Sequence, residues 1–231
     1  MNRGWVWAFG LIVLGALGVR CIQLDLRPMH NDEAVNAIRQ AAAWSSEPYR
    51  YDPGEHHGPT LYYFSLIPIR VRGVGTFAEL DEATLRVTPA LAGVGMVLLL
   101  WALRHGLGMG ATVVAAGLTA ISPALVFYSR NFIHEMLLGL FTLLFGVALW
   151  RYLREPRLVW AMVAGAALGL MHATKETFVL PLAAMMVAVG LVARWELGPE
   201  VLIRARRLWN AQHVLEALFV AGAVSVTFYT S

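Results

Sequence analysis

Residues 132–153 read FIHEMLLGLFTLLFGVALWRYL, and this stretch decides the fold class. Its acidic residue, Glu135, stands near the start and its basic residue, Arg151, near the end, and the fifteen residues between them carry no charge. A helix rises about 1.5 Å per residue, so about 20 apolar residues cross a hydrocarbon core about 30 Å thick. Lipid offers no hydrogen bonds to a bare backbone, which makes the segment a helix.

Working outward, apolar segments of similar character lie near 5–24, 84–103, 111–128, 158–174 and 177–193, and a last one runs from about 213 to 231. The expected fold is all-α, a polytopic integral membrane helical bundle. Composition agrees: 58% of residues are hydrophobic and 14% charged, too few polar side chains to keep a soluble surface wet. The formal charge of +3 is scattered between apolar segments instead of forming a patch, so no nucleic-acid partner is expected. Cys21 sits alone in an apolar run and is read as packing. The first apolar segment has no small-x-small cleavage site before the charged residues begin, so it reads as a retained anchor. The chain stops at Ser231 inside an apolar segment, and 1–231 is read as the N-terminal part of a single transmembrane domain whose C-terminal remainder is missing.

Arginine distribution sets the expected topology. If the spans alternate, Arg3, Arg104, Arg151, Arg154, Arg157, Arg194, Arg204, Arg206 and Arg207 share one side, which the positive-inside rule makes cytoplasmic. The N-terminus is then cytoplasmic in the cell (inner or plasma) membrane. The outer side receives a long loop, 25–83, and the short turns 129–131 and 175–176. In the loop, Asn31 suits a helix N-cap, Asp32 and Glu33 suit the positive end of the helix dipole, and Val35, Ile38 and Ala42 follow at helical spacing. This pattern predicts an amphipathic helix along the membrane surface. The run 51–59, rich in proline and glycine, predicts a loop, and 61–71 an interfacial or re-entrant helix interrupted by Pro68.

The chemistry-bearing residues gather on this outer side. Asp32 and Glu33 can divide labour, one carboxylate in a cleft as base and the other held elsewhere; dipole complementation at a helix start is the plainer alternative. Glu135 lies one turn inside an apolar run, where a carboxylate needs a partner or a watery cavity. Arg130 and His134 are spaced to share a helical face. His172, Lys175 and Glu176 form a third cluster, and Lys175 is the one lysine in the chain, a compact cation suited to a phosphate; an ion pair with Glu176 explains it equally well. His30, His56, His57, His134 and His172, with Asp32 or Glu135, are possible ligands of a divalent metal, although no pair has a recognised metal-ligand spacing and loop histidines explain them better. A cation near the surface, an acidic base and apolar walls describe a site for an amphiphile with a phosphate at the lipid interface.

Four stretches carry a resemblance: Met29-His30-Asn31-Asp32-Glu33-Ala34, His57-Gly58-Pro59-Thr60-Leu61-Tyr62-Tyr63, Tyr128-Ser129-Arg130-Asn131-Phe132-Ile133-His134-Glu135 and Ala173-Thr174-Lys175-Glu176-Thr177. They resemble the GT-C membrane glycosyltransferases, near the protein O-mannosyltransferases and lipid A aminoarabinose transferases, with the flippase-activity-associated proteins as the nearest subgroup. The resemblance implies a GT-C-like bundle and an inverting transfer of a sugar from a polyprenyl-phosphate-linked donor to a protein, lipid or glycan acceptor on the outer face. It carries the base to Asp32, with Glu33 beside it in the motif, and a second acidic position to Glu135. Arg130 and Lys175 become candidates for the donor phosphate, and His57, His134 and Glu176 complete the substrate-binding set. Members of the superfamily are about twice as long, with further spans and sometimes an outer C-terminal domain, so acceptor-binding parts are expected beyond this chain. A flippase or transporter of lipid-linked glycans, and a noncatalytic scaffold, are the competing readings; the purely apolar cytoplasmic halves of the spans speak against a translocation path.

Overall fold

The computed structural model describes residues 3–44, 51–52, 54, 57–197 and 210–230. Among these residues every regular element is helical, and the chain is a polytopic helical membrane protein. The α-helices are α1 (Arg3–Cys21), α2 (Asn31–Trp44), α3 (Thr60–Arg72), α4 (Glu82–Leu99), α5 (Arg104–Leu107), α6 (Met109–Ile121), α7 (Pro123–Ser129), α8 (Glu135–Arg154), α9 (Leu158–His172), α10 (Val179–Leu197) and α11 (Ala211–Thr230). Five described helices are long and apolar enough to cross a membrane, six if α6 and α7 count as one span. The chain divides into two compact units between Leu140 and Phe141, within α8.

The segment expected to span 111–128 is bent by 58° between α6 and α7. Pro123 explains the break. In a continuous helix the carbonyl of Thr119 would accept from the N–H of residue 123, and proline has none. Arg20, fully buried near the end of α1, supplies the missing donors: its guanidinium bonds the carbonyls of Thr119 (3.0 Å) and Ala120 (2.8 Å). Gly93 of α4 makes room, since a Cβ there would come within 2.8 Å of both Arg20 Nε and Ser129 Cβ.

Two other segments differ from expectation. Pro68 does not interrupt α3, which runs unbroken from Thr60 to Arg72 and ends at Gly73 in the left-handed region (φ 67°). Its face Leu61, Tyr62, Ser65 and Ile69 is buried, and Ser65 Oγ donates to Thr88 Oγ1 of α4 (3.0 Å), so packing outweighs the one hydrogen bond that proline removes. In α2 the buried side is polar, formed by Glu33, Asn36 and Gln40, while Ile38 is 65% exposed. The apolar side therefore points away from its own unit, as an interfacial helix requires.

In the second unit α9 and α11 run parallel in close contact. At Gly165 and Gly169 an added Cβ would strike the backbone of Ala217 and Ala221, so glycine sets the spacing. His172 Nδ1 and Ser225 Oγ lie 2.6 Å apart, and Tyr229 donates to the His172 carbonyl (3.0 Å). With 15 residues, α9 is about 22 Å long, shorter than a hydrocarbon core, so the reading of 158–174 as a full span fits the structure less well than the others. Gly165→Ala is expected to lower the thermal unfolding midpoint in detergent by the equivalent of about 1–3 kcal/mol, an overpacking cost. Gly190→Ala, where nothing lies within 4 Å of the new methyl, is the control expected to leave it unchanged.

Candidate functional site

Three of the four quoted motifs converge in the first unit, and two guanidiniums organise them. Arg86 enters from α4 and is 1% exposed. Its Nε donates to Glu33 Oε1 (2.7 Å) and its Nη2 to Glu33 Oε2 (3.0 Å), while Nη1 donates to the carbonyls of Leu24 (2.6 Å) and Arg27 (2.9 Å). The planar fork of arginine matches this set; a lysine ammonium would not. Arg130, in the turn after α7, donates from Nη1 to the carbonyls of Val19 (2.8 Å) and Ile22 (2.8 Å) and from Nη2 to that of Gln23 (2.9 Å), where the backbone turns through φ 54°. These carbonyls lie at and just past the C-terminal end of α1, where a cation also meets the negative end of the dipole. The loop that leads from α1 to Asp32 at the start of α2 is thus held by its own carbonyls at both guanidiniums.

The α7–α8 turn is fixed from the other side. Glu33 Oε1 accepts from the Phe132 N–H (2.8 Å), and Asn36 Nδ2 donates to the Phe132 carbonyl (3.1 Å), so α2 clasps one residue through both of its backbone polar groups. Tyr62 donates from its hydroxyl to Asn36 Oδ1 (2.9 Å), tying in α3. Buried His134 bonds the Gly58 carbonyl through Nε2 (3.0 Å); a carbonyl only accepts, so that nitrogen carries the proton. The His134 ring meets the edges of Tyr62 and His57 at centroid distances of 5.6 and 5.3 Å.

Within this frame Asp32 and Glu33 are neighbours with opposite fates. Glu33 is buried and also accepts from the His30 N–H (3.0 Å). Burial pushes its carboxyl up, but the Arg86 hydrogen bond, the N–H groups of His30 and Phe132 and the Arg86 charge outweigh that and hold it below the usual carboxylate range. A carboxylate engaged on both oxygens has a positioning geometry. Asp32 is 71% exposed, 3.9 Å from His30 Nδ1, and open to an incoming hydroxyl.

The remaining candidates fall as follows. Arg130 is engaged with the α1 and loop carbonyls. Glu135 is the first residue of α8, where the helix dipole favours a carboxylate, instead of one turn inside the span. His57 is half-buried beside His134. Lys175 and Glu176 belong to the second unit, Lys175 in extended backbone after α9 and Glu176 exposed at the start of the 3-10 turn Glu176–Phe178. His56 lies outside the described residues, and among the described residues no three of His, Cys, Asp and Glu converge as metal ligands. The sequence reading missed Arg86 and Arg20. Each is a charge inside an apolar run, 84–103 and 5–24, and that alone marks it as paired or functional.

Compared with known proteins, residues 56–225 match the family described as dolichyl-phosphate-mannose-protein mannosyltransferase. The match takes in His57, Arg86, Arg130, His134, Glu135, Lys175 and Glu176, and begins after Asp32 and Glu33. The chain is also 36% identical over 115 residues to "Putative mannosyltransferase YycA" of Bacillus subtilis (strain 168), an alignment covering 48% of this chain and 16% of that protein.

Proposed function

This chain belongs to the dolichyl-phosphate-mannose-protein mannosyltransferase family, and from that premise we propose that it forms the base-bearing part of a polyprenyl-phosphate-dependent glycosyltransferase of the cell membrane. The observation that carries the reading is the exposed Asp32 carboxylate at the start of α2, directly after a loop whose backbone two guanidiniums grip. Asp32 takes the proton of an acceptor hydroxyl, the oxygen bonds the anomeric carbon, and the bond from that carbon to the phosphate oxygen breaks. Polyprenyl phosphate leaves with the electron pair, and a single displacement inverts the anomeric centre.

Of the two cations that the family resemblance assigns to the donor phosphate, Arg130 is engaged with the α1 carbonyls, and Lys175 is a compact ammonium of the kind that stabilises developing charge. Glu135 helps organise the site, and His57 and His134 shape the substrate pocket. Donor and acceptor meet at the outer face.

The test uses the full-length protein in proteoliposomes with a labelled polyprenyl-phosphate sugar. The expected result is label on an acceptor with the opposite anomeric configuration. Donor crossing the bilayer with no label transferred would overturn the reading in favour of a transporter.

A further inference from the structure

The loop that leads from α1 to Asp32 carries one more guanidinium, that of Arg27, to which the proposed reaction gives no part. It lies over the Phe127 ring of α7, with the guanidinium carbon 5.2 Å from the ring centre. One nitrogen is anchored: Nη2 donates to Asn131 Oδ1 at 3.2 Å and reaches the Arg130 carbonyl at 3.5 Å. Asn131 is buried, and its amide is fixed in turn, since Nδ2 donates to the Phe127 carbonyl at 2.7 Å. The Arg27 side chain is exposed, and among the described residues its Nε and Nη1 meet no acceptor and no carboxylate pairs with it.

Each part of this arrangement fits the phosphate of a lipid-linked donor. A guanidinium stacked on a ring and anchored at one nitrogen is held in one orientation, and its other N–H groups suit the oxygens of a phosphate. The 19 residues of α1 are long and apolar enough to cross a membrane, so the loop just past its end lies at the boundary between hydrocarbon and water. Leu26, next in sequence, and Phe127, beneath the guanidinium, are exposed, apolar surface suited to the start of a prenyl chain. Arg27 is also tied to the residue beside the base. Its own carbonyl accepts from Arg86, the partner of Glu33, and its anchor Asn131 precedes Phe132, whose N–H meets Glu33 Oε1. Resting on the reading of Asp32 as the base of a polyprenyl-phosphate-dependent transfer, we infer that Arg27 binds the phosphate of the donor, with Phe127 and Asn131 holding the guanidinium in place. The same cation then meets the negative charge that the phosphate gains as it leaves.

Binding and transfer by the full-length protein test this separately. In detergent, native mass spectrometry compares retention of polyprenyl phosphate with that of the uncharged polyprenol. Polyprenyl phosphate is expected to be retained preferentially, and Arg27→Gln should cut its affinity about tenfold, the worth of a hydrogen bond to a charged group, with polyprenol unaffected. In proteoliposomes the same variant should raise the donor KM, whereas Asp32→Asn should lose kcat and keep the preference for polyprenyl phosphate. If Asp32→Asn still transfers sugar while Arg27→Gln has lost the preference, the base reading fails and the phosphate contact stands. Equal retention of the two lipids by the unmodified protein, a preference that survives in Arg27→Gln, or displacement of polyprenyl phosphate by equimolar phosphatidylglycerol overturns the assignment. Should Arg27→Gln fail to insert, Phe127→Leu decides, since it keeps the charge but removes the ring beneath it. Polyprenyl phosphate binding weakened about threefold supports the contact, and unchanged binding overturns it.

Discussion

Asp32→Asn in the full-length protein lowers the rate of sugar transfer by about 10²- to 10⁴-fold, the usual contribution of a positioned general base. The substitution keeps size and hydrogen-bonding shape but removes the lone pair that accepts the acceptor's proton. Because the side chain is 71% exposed and meets His30 at 3.9 Å, little of the fold depends on it. Thermal stability, membrane insertion and donor binding should therefore match the unmodified protein, and the loss should appear in kcat with KM for the donor little changed. Initial rates with a labelled donor in proteoliposomes measure both. Turnover within tenfold of the unmodified protein would remove Asp32 from the mechanism and return the base to another carboxylate, with Glu135 next in line.

The contrast between Asp32 and its neighbour shows what a linear reading can reach. The helices were legible because hydrocarbon thickness fixes their length: α1, α4 with α5, α8 and α11 each coincide with an apolar run. That one of two adjacent carboxylates would be held and the other free was also legible as a possibility. Which one was held was not, because it depends on Arg86, 53 positions away in sequence. The same limit applies to Arg130. Its position beside His134 and Glu135 suggests a substrate contact, while in the fold its donors meet the carbonyls of Val19, Ile22 and Gln23. The break at Pro123 was visible in the sequence, yet an apolar run through 111–128 hid it, since hydropathy averages over a proline that backbone chemistry cannot ignore. Pro68 gave the opposite error, because its helix is held by side-chain packing on α4 that no local rule records.

Glu33→Gln tests the frame that presents Asp32. The carboxylate and the Arg86 guanidinium are both 1% exposed, and the neutral amide leaves the buried cation without its counter-charge. Removing one member of a buried pair costs about 3–5 kcal/mol, a large part of the stability of a domain. The amide also replaces an acceptor with a donor toward the N–H of Phe132 or His30, so at least one of those bonds is lost as well. Glu33→Gln combined with Arg86→Met should be less destabilised than Glu33→Gln alone, because no charge is then left buried. Arg86→Lys should not recover the native stability, since one ammonium cannot serve Glu33, Leu24 and Arg27 at their separate positions. The pair also predicts a pH dependence. The folded Glu33 carboxyl is depressed, so its contribution is complete above the ordinary glutamate pKa, about 4.3, and is lost as pH falls through the lower folded value. Unfolding midpoints in detergent across that range should show an acid-side decline in the unmodified protein that Glu33→Gln lacks. If the single and double variants unfold alike, or the acid-side decline persists without the carboxylate, Glu33 does not anchor the loop. If they separate as expected, transfer by Glu33→Gln should fall as well, and for a different reason from Asp32→Asn: the base is intact, but the α2 start that presents it has lost its hold on α4 and on the Phe132 peptide.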